Sequence, residues 1–383
     1  MLKTTEKHFQ YVDALRGIAV LGVLLVHSAI LTRQTGATWI LSFTGQRGVQ
    51  LFYMLSAFTL CLSLDRKHSE SRPLRNYFIR RFFRIAPLYY IVIFINILLK
   101  HLAPEQSSLT HLKNSDVFLG FLFLNGVRPN AISLVAGGWS IAVETTFYFC
   151  LPFLFRQFKT IPQILTLFAI TAPLLHVISK VLALQSPDIA HEQYFIFFWF
   201  PVEFPVFILG MLTYAIWKQY LRESELTLEA RRQISGILLL TSFMMYCACL
   251  PFHDVKLYFS SFLFLPLILA LTIYAWPFFV NRLTIYVGKI SYSVYLLHFL
   301  VLNAMGVVLE HIDAYPGHYI TRFVWDQPLG LAAVFLVAFG ISLPLCTLSR
   351  NLIELPGMDL GRQLIAHKEK RYQLDPEPIP AQP

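Results

Sequence analysis

Ten apolar runs, each close to the length that crosses a lipid bilayer, constrain the fold of this chain more than any other feature. A spanning helix needs about 20 mostly apolar residues. Of the residues, 56% are hydrophobic and only 14% are charged, whereas soluble domains have about 25% charged residues. We therefore predict an all-α fold, a polytopic transmembrane helix bundle of about ten spans. The runs lie near 11–31, 48–64, 85–101, 139–157, 161–184, 194–217, 234–251, 257–279, 287–309 and 329–349.

Lysine and arginine residues predict the orientation of these spans, because cytoplasmic loops carry an excess of both. With ten spans and a cytoplasmic N-terminus, 23 of the 31 basic residues fall on the cytoplasmic side and 8 on the other. The stretch Val117–Val127 is about half a span long and is either re-entrant or interfacial. We predict two cytoplasmic termini, a membrane domain over 1–356 and a short polar cytoplasmic tail over 357–383.

The formal net charge of +9 would suggest nucleic acid as a partner in a soluble protein. Here the basic residues cluster between apolar runs, so membrane lipids are the expected partner and nucleic acid is not. The five cysteines show neither metal nor disulfide spacing. We predict no metal site and no permanently bound cofactor. The sequence does not indicate whether the protein is a monomer or an oligomer.

Arg16 and His27 place costly polar groups in the first span. Eleven positions correspond to about 1100° of helical rotation, so the two side chains share a face about 16 Å apart along the axis. Arg16 would lie at the cytoplasmic boundary and His27 near mid-depth. The alternatives are an interfacial anchor for Arg16 and a packing role for His27.

Glu144 lies about 7 Å into its span from Trp139, close to the predicted depth of His27. A carboxylate and an imidazole at one depth suit a general base and the group that orients it. A structural hydrogen bond between helices is the alternative. Ser140 follows Trp139 in a stretch that only faintly resembles a nucleophile elbow, because no strand precedes it.

Arg80, Arg81 and Arg84 lie on the predicted cytoplasmic side, where guanidinium groups suit the phosphates of a soluble donor. Binding of anionic lipid is the alternative. His298 lies about ten residues into its span, level with His27. With Tyr295, Trp139 and Ser140 it is a candidate for lining the same cavity. Glu203 is a further buried carboxylate, to which we assign no role.

These stretches together resemble the acyltransferase-3 family of bacterial membrane acyltransferases, in the order of that family's motifs from about Phe9 to Pro356. The first motif is the spacing from Arg16 to His27. The second motif, 48–58, resembles the family's second-span motif, with Ala57 where glycine is usual. The motif segments are 11–27, 48–58, the Arg81-Phe82-Phe83-Arg84 pair, 139–148, 290–298 and 349–356.

The resemblance implies an O-acyltransferase of the bacterial inner membrane that moves an acyl group, usually acetyl, from acyl-coenzyme A to a hydroxyl of a carbohydrate or glycolipid acceptor. It implies His27 as general base, with Arg16 holding the donor or stabilising charge in the transition state. It also implies that Glu144 orients His27 and that Arg81 and Arg84 bind the coenzyme A phosphates. The acceptor, the acyl chain and the side of the membrane on which the acceptor is modified stay open.

Two other classes of function stay open at this point. Buried histidine, glutamate and arginine in apolar spans also suit a transporter or flippase for a lipid-linked sugar. That interpretation favours internal repeats, which the sequence lacks, and has no use for a cytoplasmic Arg-x-x-Arg pair. A structural or sensor membrane protein without chemistry is the weaker alternative.

Overall fold

The computed structural model describes residues 9–67, 70–102, 113–125, 133–249, 261–313 and 324–374. These residues form helices and connections without a β-strand, so the predicted all-α fold is confirmed. The helices in the first half are α1 (Gln10–Leu31), α2 (Gly36–Phe43), α3 (Gly48–Arg66), α4 (Pro73–Leu102), α5 (Asn114–Phe121), α6 (Gly138–Gln157) and α7 (Ile161–Leu184). The second half contains α8 (Ile189–Gln193), α9 (Phe200–Ile216), α10 (Leu228–Cys249), α11 (Phe264–Ile273), α12 (Arg282–Lys289), α13 (Ser291–Asp313), α14 (Pro328–Ser349) and α15 (Leu355–Leu374).

Eight helical segments among the described residues are long and apolar enough to cross a membrane, whereas the sequence predicts about ten spans. The other two predicted spans, 234–251 and 257–279, lie partly in residues 250–260, outside the described residues, and their described parts are α10 and α11. The first turns of α10 carry Glu229, Arg231 and Arg232, which lower its apolar character. The helix α11 is apolar but has only ten residues. The cytoplasmic location of both termini rests on the basic-residue count and stays a prediction.

The short apolar stretch near residue 117 does not form a span in the part of the chain that the structure describes. Residues 117–121 belong to α5, an eight-residue helix that ends before Leu122, and residues 126–127 lie outside the described residues. The segment packs against α4, where the Tyr90 hydroxyl donates to the carbonyl oxygen of Phe121 at 2.9 Å. This short helix agrees with leaving the stretch out of the span count.

Helix α1 lies at the centre of the bundle and packs against α3, α12, α13 and α14. The tightest approach is to α12, because a Cβ on Gly288 would overlap the carbonyl oxygen of Asp13. Helix α12 begins at a well-formed cap, in which the Asn281 side-chain oxygen accepts from the backbone N–H groups of Leu283 and Thr284, both at 3.0 Å. This packing fixes the end of α1 that carries Arg16.

Large apolar side chains also cover the outside of the bundle, as expected of a surface that faces lipid rather than water. On α7, for example, Ile170, Leu174 and Val177 are each more than half exposed. Only a narrow face of that helix is buried, against α9. The molecule is therefore an all-α membrane helix bundle, in which the polar groups described below lie inside.

The C-terminal region continues α14 through a π-helical turn, Arg350–Glu354, into α15. Helix α15 packs against α4, and the predicted domain boundary at residue 356 falls inside it. Part of the predicted tail is thus helical and packed on the bundle. The division into a membrane domain and a tail stays a prediction.

Candidate active site

A polar cavity opens between α1, α3, α4, α6 and α13, and it contains most of the residues that the sequence singles out. Its walls carry three guanidinium groups, one carboxylate, and several hydroxyl groups from serine and tyrosine. The charged residues are Arg16, Arg81, Arg84 and Glu144, and the predicted lining residues Ser140 and Tyr295 are also present. Five helices therefore bring together groups that lie as much as 279 positions apart in the chain, between Arg16 and Tyr295.

The three arginines in the cavity have no carboxylate within ion-pair distance among the described residues. Arg16 donates to the Thr59 hydroxyl at 3.4 Å. The guanidinium of Arg81 lies over the ring of Tyr148, 5.8 Å from its centre, and its Nε is buried without a hydrogen-bond partner. Buried cations need pairing or hydrogen bonds to offset desolvation. The cavity is thus suited to hold an anion.

Arg80, the third arginine that the sequence places among the donor ligands, does not line the cavity. Its guanidinium makes two hydrogen bonds to the Glu70 carboxylate, at 3.1 and 2.9 Å. Burial acts to raise the pKa of Glu70, but hydrogen bonds from Arg80 and Asn76 outweigh it and lower that pKa below its usual range. At neutral pH the pair is ionised. The assignment of Arg80 as a donor ligand stays a prediction, but the structure places its side chain outside the cavity, because about 100° of helical rotation separates it from Arg81.

Glu144 has different neighbours from those that the sequence predicts. Its Oε1 accepts hydrogen bonds from the Ser56 hydroxyl at 2.5 Å and from the Tyr148 hydroxyl at 2.8 Å. Across the described ranges, no hydrogen bond joins Glu144 to His27. The carboxylate instead ties α6 to α3 and faces the three guanidinium groups across the cavity.

Ser140 and Tyr295 meet at another part of the cavity wall. Their hydroxyl oxygens lie 2.5 Å apart, and each also lies within hydrogen-bond distance of the carbonyl oxygen of Gly137, at 3.0 Å from Ser140 and 3.2 Å from Tyr295. One hydroxyl donates to the other, and the second donates to this carbonyl oxygen. A nucleophilic serine needs a base such as an imidazole within hydrogen-bond reach, and Ser140 has none in the described structure. Trp139 packs against the ring of Phe198, with centroids 4.8 Å apart, and does not line the cavity.

His27 and His298 lie next to each other but outside the lining of this cavity. Their ring centroids are 5.2 Å apart, and both rings contact Phe299, at 4.4 Å from His27 and 4.2 Å from His298. Tyr295 connects the two regions, since its hydroxyl lies in the cavity and its ring centroid is 5.9 Å from that of His298. The imidazole pair therefore lies next to a residue of the cavity wall.

Sequence reasoning missed several residues of this region. Ser56 lies inside a motif segment, and Tyr148 follows Glu144 by one helical turn, a spacing that could have indicated their contact. By contrast, Glu203, which the sequence does single out, is buried and accepts from the Gln50 amide at 3.0 Å, outside the cavity lining. Within the described ranges, no group of three or more His, Cys, Asp or Glu side chains is placed to hold a metal ion.

Comparison with known proteins identifies the class to which this cavity belongs. Residues 9–347 match the family model of the acyltransferase domain of the acyltransferase-3 family. The chain belongs to this family. The predicted enzyme class, a membrane O-acyltransferase, is thereby confirmed, and the resemblance inferred from the motifs is correct.

Two relatives of this acyltransferase are distant in sequence. It is 25% identical over 316 residues to ORF330 of Acidianus two-tailed virus, described as a candidate acetyltransferase, with 80% of this chain and 87% of that protein aligned. It is 24% identical over 371 residues to the peptidoglycan O-acetyltransferase OatA of Listeria monocytogenes serovar 1/2a, with 88% of this chain aligned. The alignment covers 56% of the length of OatA. No solved structure matches the chain significantly.

Proposed function

We propose that this acyltransferase moves an acyl group, most simply acetyl, from acyl-coenzyme A to a hydroxyl of a cell-envelope carbohydrate or glycolipid in the bacterial inner membrane. One structural observation supports the anionic donor above all others: Arg16, Arg81 and Arg84 line one cavity without an ion-pair partner among the described residues. The name of the OatA relative supports a carbohydrate acceptor and an acetyl group.

Arg81 and Arg84 are the proposed binding residues for the phosphates of the acyl-coenzyme A donor. Guanidinium groups bind phosphate oxygens with paired, charge-assisted hydrogen bonds, and they do so most strongly where water is excluded. Both residues lie on α4, three positions apart, and both reach the cavity. Arg16 lies on α1 in the same cavity, where it would help to hold the anionic donor.

The chemical step needs a base for the acceptor hydroxyl, and His27 is the proposed base. The hydroxyl proton passes to a ring nitrogen of His27 as the oxygen bonds to the thioester carbonyl carbon. The carbon–sulfur bond then breaks, and the coenzyme A thiolate takes this proton from the imidazolium of His27. Such a base contributes typically about 10²–10⁴-fold in rate. Glu144 would hold Ser56 and Tyr148 in place and offset part of the positive charge of the cavity.

Donor binding to purified protein in lipid nanodiscs tests this assignment, with acetyl-coenzyme A as the titrant. Arg81→Ala and Arg84→Ala are each expected to raise the donor Kd by about 10- to 100-fold, since charge-assisted hydrogen bonds contribute about 1.5–3 kcal/mol. Arg80→Ala is the matched control, because the same type of residue one position away pairs with Glu70 outside the cavity.

The control is expected to leave the donor Kd within about twofold of the wild type, since Arg80 is paired with Glu70 and does not line the cavity. Equal losses in the Arg80 and Arg81 variants would show a non-specific charge effect and contradict the donor site. Failure of the wild-type protein to bind acetyl-coenzyme A at all would favour a transporter for a lipid-linked sugar.

A further inference from the structure

His298 is a buried histidine that the proposed chemistry does not yet use. It lies on α13 with none of its surface exposed, and its ring packs beside that of His27 on α1. The two helices are in direct contact, and α13 also supplies Tyr295 to the cavity wall. A second imidazole thus lies against the proposed base.

The surroundings of His298 determine which of its nitrogens carries the proton. Its Nδ1 lies 2.7 Å from the carbonyl oxygen of Tyr295 and 3.1 Å from that of Val294. Carbonyl oxygens only accept hydrogen bonds, so Nδ1 must be the protonated nitrogen. In the neutral ring, the distal nitrogen Nε2 then carries the lone pair and acts as an acceptor.

The acceptor nitrogen of His298 is left unused by the described chain. Nε2 is buried and has no hydrogen-bond partner, a state that is costly for a buried polar atom. His27 likewise makes no hydrogen bond with the described residues, although its ring has a donor in either neutral tautomer. With centroids 5.2 Å apart, the two ring edges are close enough to join directly after a small rotation, or through one water.

We infer that His298 is the positioning residue for His27: its Nε2 accepts a hydrogen bond from a ring N–H of His27 and so leaves the other nitrogen of His27 free to act as the base. This inference rests on the proposed function. It assigns to His298 the orienting role that the sequence predicts for Glu144, whose hydrogen bonds go to Ser56 and Tyr148. An imidazole held in this way needs no buried carboxylate beside it.

The arrangement has the logic of a catalytic triad, in which a fixed acceptor on one nitrogen of a histidine sets the tautomer of the base. The proton of the acceptor hydroxyl moves to the free nitrogen of His27 and later to the departing thiolate. His298 gains and loses no proton in this cycle, because its Nδ1–H stays on the backbone carbonyl groups. The imidazolium of His27 is stabilised by the lone pair of Nε2 while it exists.

Two substitutions separate this role from packing. His298→Phe keeps a ring of similar size but removes the acceptor, and it is expected to lower kcat by about 10- to 100-fold with the donor Kd within about twofold of the wild type. His298→Gln restores an acceptor oxygen near the position of Nε2, and it is expected to recover most of the lost kcat. A Gln variant as slow as the Phe variant, or a Phe variant as fast as the wild type, would overturn the inference.

A second measurement does not depend on turnover. Nitrogen-15 NMR of protein with labelled histidine, assigned with a His27→Asn sample, reports the tautomer of His27 in lipid nanodiscs. A single tautomer in the wild type that becomes mixed in His298→Phe is expected, and an unchanged His27 signal would overturn the inference. If the wild-type protein shows one tautomer but transfers no acyl group, the proposed function fails while the pairing of the two histidines stands.

Discussion

Tyr148 connects the two kinds of charge in the cavity. Its ring lies under the guanidinium of Arg81, and its hydroxyl donates to Glu144. Its own backbone carbonyl accepts from the Tyr77 hydroxyl at 3.2 Å, which ties α6 to α4. The side chain is thus held from several sides, and it in turn fixes where Arg81 presents its remaining N–H groups.

Substitution of Tyr148 tests this support at the scale of one side chain. Tyr148→Leu removes the ring face and is expected to raise the donor KM about 2- to 30-fold, since cation–π contacts contribute about 0.5–2 kcal/mol. Tyr148→Phe keeps the face and is expected to have a smaller effect. Steady-state kinetics with varied acetyl-coenzyme A measures both.

The neighbouring Phe149→Leu is the control for this series, because that ring is 65% exposed on the outside of the bundle. It is expected to behave as the wild type. A Phe variant of Tyr148 as impaired as the Leu variant would show that the hydroxyl, and not the ring, is what matters to the donor.

At this scale the sequence indicates which residues carry charge into the membrane, but not what each one faces. The three-residue spacing of Arg81 and Arg84 predicts their shared face, and both reach the cavity. The partner of Arg80 lies in the preceding connection, so helical spacing could not reveal it. The sequence predicts that Glu144 and His27 lie at the same depth in the membrane. Depth does not give the rotation of each helix about its axis, and that rotation determines which side chains Glu144 can reach.

Helix α15 braces the segment of α4 that presents the donor arginines. A Cβ on Gly361 would lie 2.8 Å from that of Phe83, the residue before Arg84, so the two helices touch there without room for a side chain. Further along, the Glu369 carboxylate accepts from Asn76 at 2.8 Å and pairs with Arg75 at 3.2 Å. The brace therefore holds α4 on both sides of the turn with Arg80 and Arg81.

Gly361→Leu tests whether this brace positions the donor site. Overpacking of this kind costs about 1–3 kcal/mol and would displace α15 from Phe83. We expect the donor KM to rise several-fold while kcat stays within about twofold. The control is Gly340→Leu on α14, because Gly340 is exposed and a Cβ added there would meet no atom within 4 Å. Unchanged donor KM in Gly361→Leu would contradict a positioning role for α15.

Helices can be predicted from this sequence where hydrophobicity alone determines their position. The long apolar runs give helices, because a backbone in lipid must satisfy its own hydrogen bonds. For the predicted spans 234–251 and 257–279 the structure describes only α10 and α11, because residues 250–260 lie outside the described residues, and these two spans stay predictions. The sequence does not indicate that the polar residues 357–374 form a helix, because they lack a periodic pattern of apolar residues. This helix packs on α4 through glycines, which such a pattern does not include.

The whole molecule is a helix bundle whose apolar side chains cover both its core and its outside, while Arg16, Arg81, Arg84 and Glu144 meet at one internal cavity. Membership of the acyltransferase-3 family assigns acyl transfer to this bundle. Its orientation in the membrane, with Arg81 and Arg84 on the cytoplasmic side, stays a prediction from the basic-residue count. It would place the donor site where acyl-coenzyme A is available.

Acyl transfer by protein reconstituted in lipid, with and without His27, tests the proposed chemistry most directly. Radiolabelled acetyl-coenzyme A and a de-O-acetylated bacterial envelope preparation serve as substrates, and His311→Ala, an exposed histidine on α13, is the control. Label is expected to enter the envelope fraction with the wild type and the control. His27→Ala is expected to lower the rate by about 10²–10⁴-fold with unchanged donor binding. Wild-type transfer rates in His27→Ala would contradict the account.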